Sequence, residues 1–152
     1  MDMYVVCEKR RGKVRQAADA IAESAASHGV ATLVRSIDEA VPEDLVSADL
    51  VVAGCRAQVD TPFGGEPTQR LREWIAELPA LDGLPVGVFC TYAFFPHTFA
   101  DVTARTSETL AGLSGAFASR GAVVVATQGL HQGEFDTAAD GFVSKMLGDG
   151  AT

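Results

Sequence analysis

Cysteine is scarce: three in 152 residues, an odd number with no close pair, which excludes a disulfide framework and any zinc-ligand spacing and agrees with a reducing compartment. Long apolar runs are missing too. None approaches the ~20 residues needed to cross a bilayer, and in the opening "MDMYVVCEKRR" the charges follow the apolar stretch instead of preceding it, unlike a secretory signal. The expectation is a cytoplasmic chain without membrane contact. Cations are outnumbered, 12 Lys and Arg against 20 Asp and Glu, for a net charge of −8. Most of the surface would repel a polyanion, which excludes general nucleic-acid binding. A nucleophile elbow, a zinc motif and a dinucleotide fingerprint are all absent, and "GGEP" is only a turn signal, so hydrolase and metalloenzyme chemistry has no residues to stand on. His97 and His131 have no carboxylate or cysteine at a ligand or triad spacing and read as lone polar loop residues.

What is present is an alternation of apolar runs and helical stripes, without linker, repeat or low-complexity segment. "MYVVC" (Met3 to Cys7), "VATLVRSI" (Val30 to Ile37), "DLVVAGC" (Asp49 to Cys55), "LPVGVFC" (Leu84 to Cys90) and "AVVVAT" (Ala122 to Thr127) are short runs of the kind that form strands buried on both faces. Val14, Ala17, Ala18, Ile21, Ala22 and Ala25 recur at helical spacing up to His28-Gly29. Leu71, Trp74, Ile75 and Leu78 form a second stripe, with Pro67 suited to its first turn. Leu110, Leu113 and Phe117 form a third that stops at Arg120-Gly121. Phe135, Ala139, Phe142, Val143 and Met146 form a last one before Gly148. "VPEDLVSA" has room for a helical turn or two. Residues 98–108 have too weak an apolar spacing to assign. Strands alternating with helices imply a parallel sheet with right-handed crossovers and helices on both faces. One such domain is expected over residues 1–148, with a frayed tail at 149–152.

"CEKRRGKV", Cys7 to Val14, lies between the first strand and the first helix, where α/β proteins often hold a phosphate at a helix N-terminus. It carries one glycine, four cations and no hydroxyl. With Arg15 it concentrates positive charge in an acidic chain, either as an anion grip or as a solvated basic face. The second conspicuous loop, "RAQVDTPFGGE", spends eleven residues where such connections need ~2 to 6, and loops of that length tend to be functional.

"VVCEKRRGKVRQAADAIAESAASHG" resembles the opening of flavodoxin-family proteins, and "ADLVVAGCRAQVDTPFGGEPTQRLREWIAELPALDGLPVGVFCTY" resembles their third strand, flavin-edge loop, helix and fourth strand. The likeness covers nearly the whole chain. It implies a flavodoxin-like doubly wound five-stranded parallel sheet of order 2-1-3-4-5, with FMN at the carboxyl ends of the strands. The family's phosphate loop has a pattern like S/T-x-T-G-x-T. Aligned on Gly12, its three hydroxyl positions are here Lys9, Arg11 and Val14. Backbone donors and the helix dipole survive that replacement, and Lys9, Arg10, Arg11 and Lys13 bring charge-assisted bonds. The resemblance also implies that the isoalloxazine ring is flanked by Arg56, Ala57, Gln58 and Phe63 after the third strand and by Thr91, Tyr92, Ala93 and Phe94 after the fourth. Arg56 and Ala57 stand where the family commonly has Pro and Thr. Tyr92 is the preferred stacking residue, while Phe94 and Phe95 read equally well as core under the next helix.

Cys7, Cys55 and Cys90 fall at the ends of strands one, three and four, which this order makes adjacent. A buried cysteine ordinarily behaves as a small hydrophobe. The alternative is a thiol cluster beside the crevice. Two functions follow: an FMN protein in electron transfer or small-molecule reduction, its acidic surface suited to a basic redox partner protein, or a flavin-free domain binding another anion or a protein.

Overall fold

A computed structural model describes residues 1–57, 69–93 and 98–148. Five strands, β1 (Asp2–Cys7), β2 (Ala31–Ser36), β3 (Leu50–Arg56), β4 (Pro85–Tyr92) and β5 (Val123–His131), form one parallel sheet in the order β2-β1-β3-β4-β5. The helices are α1 (Lys13–Ser27), α2 (Pro42–Val46), α3 (Gln69–Ala76), α4 (Phe99–Ser119) and α5 (Phe135–Leu147). The three central strands are buried almost throughout, as their unbroken apolar runs require, whereas the edge strands β2 and β5 alternate between covered and exposed residues.

Because successive strand residues point to opposite faces, the sheet divides its apolar side chains into two cores. Val5, Cys7, Val52, Phe89 and Leu130 meet α1 and α5. Tyr4, Val6, Val51, Ala53, Cys55 and Val88 meet α3 and α4. On the first face α1 presents Ile21 among Ala17, Ala18 and Ala25, small residues that let it approach the sheet closely. Gly54 serves the same packing. A methyl group there would come within 2.2 Å of the Phe89 ring, which is fully buried and meets Phe142 edge-on at 6.3 Å.

The main departures from the sequence reading are at the carboxyl ends of strands. β3 runs on to Arg56, β4 to Tyr92 and β5 to His131, because each extension has a partner: Arg56 pairs with Thr91 and Tyr92 with His131. A ladder bond does not require an apolar side chain, so hydropathy alone stops these strands early. Residues 99–108 form the first half of α4, capped by the Thr98 hydroxyl, which accepts the Asp101 N–H at 3.2 Å. In that half only Val102 is buried, so no stripe showed in the sequence. Pro67, Phe95, His97 and the tail at 149–152 lie outside the described residues.

The three cysteines do not form one cluster. Cys7 pairs in register with Gly54 and faces α1 and α5, whereas Cys55 pairs with Cys90 on the opposite face. All three are buried. Adjacency of strands brings backbones together, but the pleat sends the Cys7 side chain to the other side of the sheet.

Candidate functional site

In this strand order the chain leaves β1 toward β2 and later crosses β1 to enter β3, so the connections after β1 and β3 diverge and leave a crevice at the carboxyl edge. β1 delivers the basic loop to its mouth. The Cys7 thiol anchors that loop, donating to the Lys9 carbonyl at 3.1 Å and to the Arg35 carbonyl at 3.7 Å. Burial pushes the thiol pKa up to about 11, which keeps it neutral.

Gly12 caps α1 with φ 98° and ψ −166°, a combination available essentially to glycine alone. A methyl group on it would meet nothing within 4 Å, so backbone conformation, not crowding, demands glycine here. Its carbonyl accepts the Gln16 N–H at 3.0 Å. No side chain caps the helix and no acid lies in its first turn, so the amides of Lys13, Val14 and Arg15 have no intrahelical acceptor and present the positive end of the helix dipole. Lys9, Arg10, Arg11 and Lys13 are exposed around this opening. The Val14 side chain belongs to the core under α1, leaving only its backbone to the site.

Across the crevice, Arg56 is exposed at the end of β3, and the buried Ala57 donates its N–H to the Thr91 carbonyl at 2.8 Å, joining β3 to β4. Thr91 is fully buried, on the face of α1 and α5, and its hydroxyl has no hydrogen-bond partner among the described residues. Tyr92 is half-buried and turned toward β5: its ring lies 5.5 Å from that of His131 and within 3.1 Å of where a Gly129 methyl would be. Burial raises its phenol pKa, with Glu134 adding to the shift. Ala93 is half-buried beside it. Gln58, Phe63 and Phe94 lie outside the described residues. The structure therefore groups Lys9 to Lys13 at one lip and Arg56, Ala57 and Thr91 at the other, while Tyr92, next to Thr91 on β4, turns to the opposite face of the sheet, toward Gly129 and His131 of β5.

Glu8 was not singled out by the sequence reading, where the four cations beside it dominate the loop. It is 6% exposed, and its carboxylate accepts the backbone N–H of Arg56, crossing the switch point from β1 to β3. Burial raises its pKa, and that bond together with the charges of Lys9, Arg56 and Arg70 partly offsets the rise. The available signal was an acid placed directly after a buried strand.

Among the described residues no helix is long and apolar enough to cross a membrane, and no group of three or more His, Cys, Asp or Glu could hold a metal ion.

A doubly wound sheet with a loop-bound crevice at the β1/β3 switch defines a class of α/β proteins, and solved structures specify which. A short-chain flavodoxin associated with a PDU bacterial microcompartment superposes with a TM-score of 0.74 at 18% identity, over 98% of both chains. The two-electron reduced flavodoxin of Megasphaera elsdenii gives 0.70 at 17% identity, over 96% of this chain and 98% of the other. Oxidised flavodoxin 1 of Bacillus cereus gives 0.68 at 17%, over 97% and 98%. The fold is that of the flavodoxins. No sequence-family model and no curated protein matches the chain.

Proposed function

We propose that this chain is a cytoplasmic member of the flavodoxin family, one that binds FMN at the carboxyl edge of its sheet and serves in electron transfer or small-molecule reduction, with a redox partner protein or a small electron acceptor as its counterpart. The observation that supports the reading is Gly12, held in a glycine-only conformation at the head of a helix whose first-turn amides have neither a side-chain cap nor an acid beside them. That arrangement suits a phosphate without any hydroxyl, since backbone donors and the helix dipole are indifferent to side-chain identity. The loop cations would take the remaining phosphate oxygens. At the other end the buried, unpartnered Thr91 hydroxyl offers a donor to a polar ring edge, and Arg56, Ala57, Ala93 and the segments that contain Gln58, Phe63 and Phe94 would flank the ring. Bound FMN supplies the electron-accepting isoalloxazine. The chain binds it, orients it and excludes water from one side.

Titration with FMN, followed through the flavin's own emission, tests this. Saturable quenching is expected, weakening from low to high salt because the loop cations are exposed and screened over ~8 Å at physiological ionic strength, with riboflavin bound more weakly. A colourless preparation that ignores millimolar FMN would overturn the reading. A second reading, a flavin-free module for another anion, is favoured by Lys9, Arg11 and Val14 at the hydroxyl positions and by Glu8 across the crevice. It expects sulfate or phosphate binding with no affinity for FMN.

A further inference from the structure

Among the described residues Glu8 is the one buried carboxylate, 6% exposed. It directly follows β1, and its carboxylate accepts the N–H of Arg56, the last residue of β3. It therefore spans the two strands whose outgoing connections diverge, on the floor of the crevice where doubly wound sheets bind their ligands. Lys9 on its own loop, Arg56 of β3 and Arg70 of α3 surround it with positive charge. The same short loop then runs to Gly12 and the uncapped first-turn amides of α1.

Holding one backbone N–H asks only for an acceptor. A glutamine amide would serve without the cost of burying a charge, so the link between the strands leaves the carboxyl unexplained. The uncapped amides and the loop cations make this crevice attractive to anions. On its floor a carboxyl adds a negative charge that would repel a fully ionised ligand, and a place for one proton. We propose that Glu8 is the specificity-determining residue of this anion site: it shares one proton with the bound phosphoryl group, so the site takes phosphate and phosphate monoesters and rejects sulfate and phosphodiesters, which have no proton to share near neutral pH. With the carboxylate ionised, a P–OH of the ligand donates to it. With the carboxyl protonated, its O–H donates to a phosphate oxygen. Either way a hydrogen bond replaces a repulsion between two anions, and charge-assisted bonds of this kind are about twice as strong as neutral ones. Burial already disfavours the ionised carboxyl, and a bound dianion acts in the same direction. The inference rests on the reading of the β1–α1 loop as a phosphate site, and it adds what that site selects.

Calorimetric titration of the full chain and of Glu8→Gln with sodium phosphate, sodium sulfate and FMN tests it. At about pH 8 inorganic phosphate and sulfate are both tetrahedral dianions, and only phosphate keeps a hydroxyl. The parent should bind phosphate on the order of tenfold to a hundredfold more tightly than sulfate, and Glu8→Gln, which keeps an acceptor for the Arg56 N–H, should bind both alike. From about pH 8 to about pH 5 sulfate should gain affinity in the parent, as Glu8 acquires its own proton, and gain less in the variant. A phosphate monoester such as FMN loses its last proton near a pKa of about 6. Its binding at the higher pH should therefore take up about one proton per site in the parent and none in the variant, read from titrations in two buffers of different ionisation enthalpy. Equal affinity for phosphate and sulfate in the parent, a margin that survives in Glu8→Gln, or FMN bound without proton uptake overturns the inference and leaves the phosphate-loop reading standing. Phosphate selectivity that depends on Glu8, with no affinity for FMN, supports the inference and refutes only the flavin reading. Binding of none of the three by either protein overturns both.

Discussion

Replacing Gly12 by alanine probes the loop with the least chemical change. At φ 98° and ψ −166° an alanine is held in a region that costs on the order of 1 to 3 kcal/mol. No steric cost adds to this, since the new methyl group meets nothing within 4 Å. If the loop keeps its shape, the whole cost falls on stability. For a chain of this size each kcal/mol lowers the thermal midpoint by roughly 2 to 4 °C, so a fall of about 2 to 12 °C is expected. If the loop relaxes instead, stability recovers, but Lys9 to Arg11 swing away from the head of α1 and anion affinity falls. Thermal or urea unfolding and phosphate calorimetry on one preparation capture both routes. Gly141→Ala is the control: that glycine is exposed within α5 with nothing within 4 Å of its added methyl, so alanine should stabilise by roughly 0.5 to 1 kcal/mol. A Gly12→Ala protein with the parent's midpoint and the parent's phosphate affinity, alongside a normal control, would refute the assignment of the loop.

Gly54→Ala should destabilise by about 3 kcal/mol, read as a shift of the urea midpoint, because the methyl group would meet the fully buried Phe89 ring at 2.2 Å; an unchanged midpoint would contradict the packing of β3 against β4. Burial pushes the Cys7 and Cys90 thiols up to about 11 and about 12, so a disulfide reagent at pH 8 should label the protein only as fast as it unfolds, and prompt labelling of a thiol would put it outside the core. Glu8 has its pKa raised by burial, so the native state holds its proton to higher pH than the unfolded chain and stability is lost as pH rises through the folded value. Glu8→Gln keeps an acceptor for the Arg56 N–H and removes the buried charge. It should be more stable than the parent at pH 7, with the gain fading below about pH 4, where the unfolded carboxyl is also protonated. A gain that grows on acidification would reverse the assigned shift.

The order of elements was legible because buried parallel strands announce themselves as unbroken apolar runs, as in "MYVVC" and "DLVVAGC", and because the stripe of Val14, Ala17, Ala18 and Ile21 repeats at helical spacing. The glycine at the head of α1 was legible for a similar reason, since a conformation open only to glycine leaves its mark in the residue type. Other features depend on partners far away in the chain. β4 continues to Tyr92 because β5 supplies the ladder, and Tyr92 turns toward Gly129 because that residue has no side chain to keep the ring away. The pleat separates Cys7 from Cys55 and Cys90 although their strands are neighbours. Glu8 is buried because the Arg56 amide waits across the switch point, and Asp38 after β2 meets Arg70 of α3 at 2.9 Å although the two are 32 residues apart in the chain. Local sequence thus determined which segments form strands and helices and where the chain needs a glycine, since those depend on side chains a few residues apart. Which side chains face one another across the crevice was decided by pairing between segments distant in sequence, and only the tertiary structure holds that information.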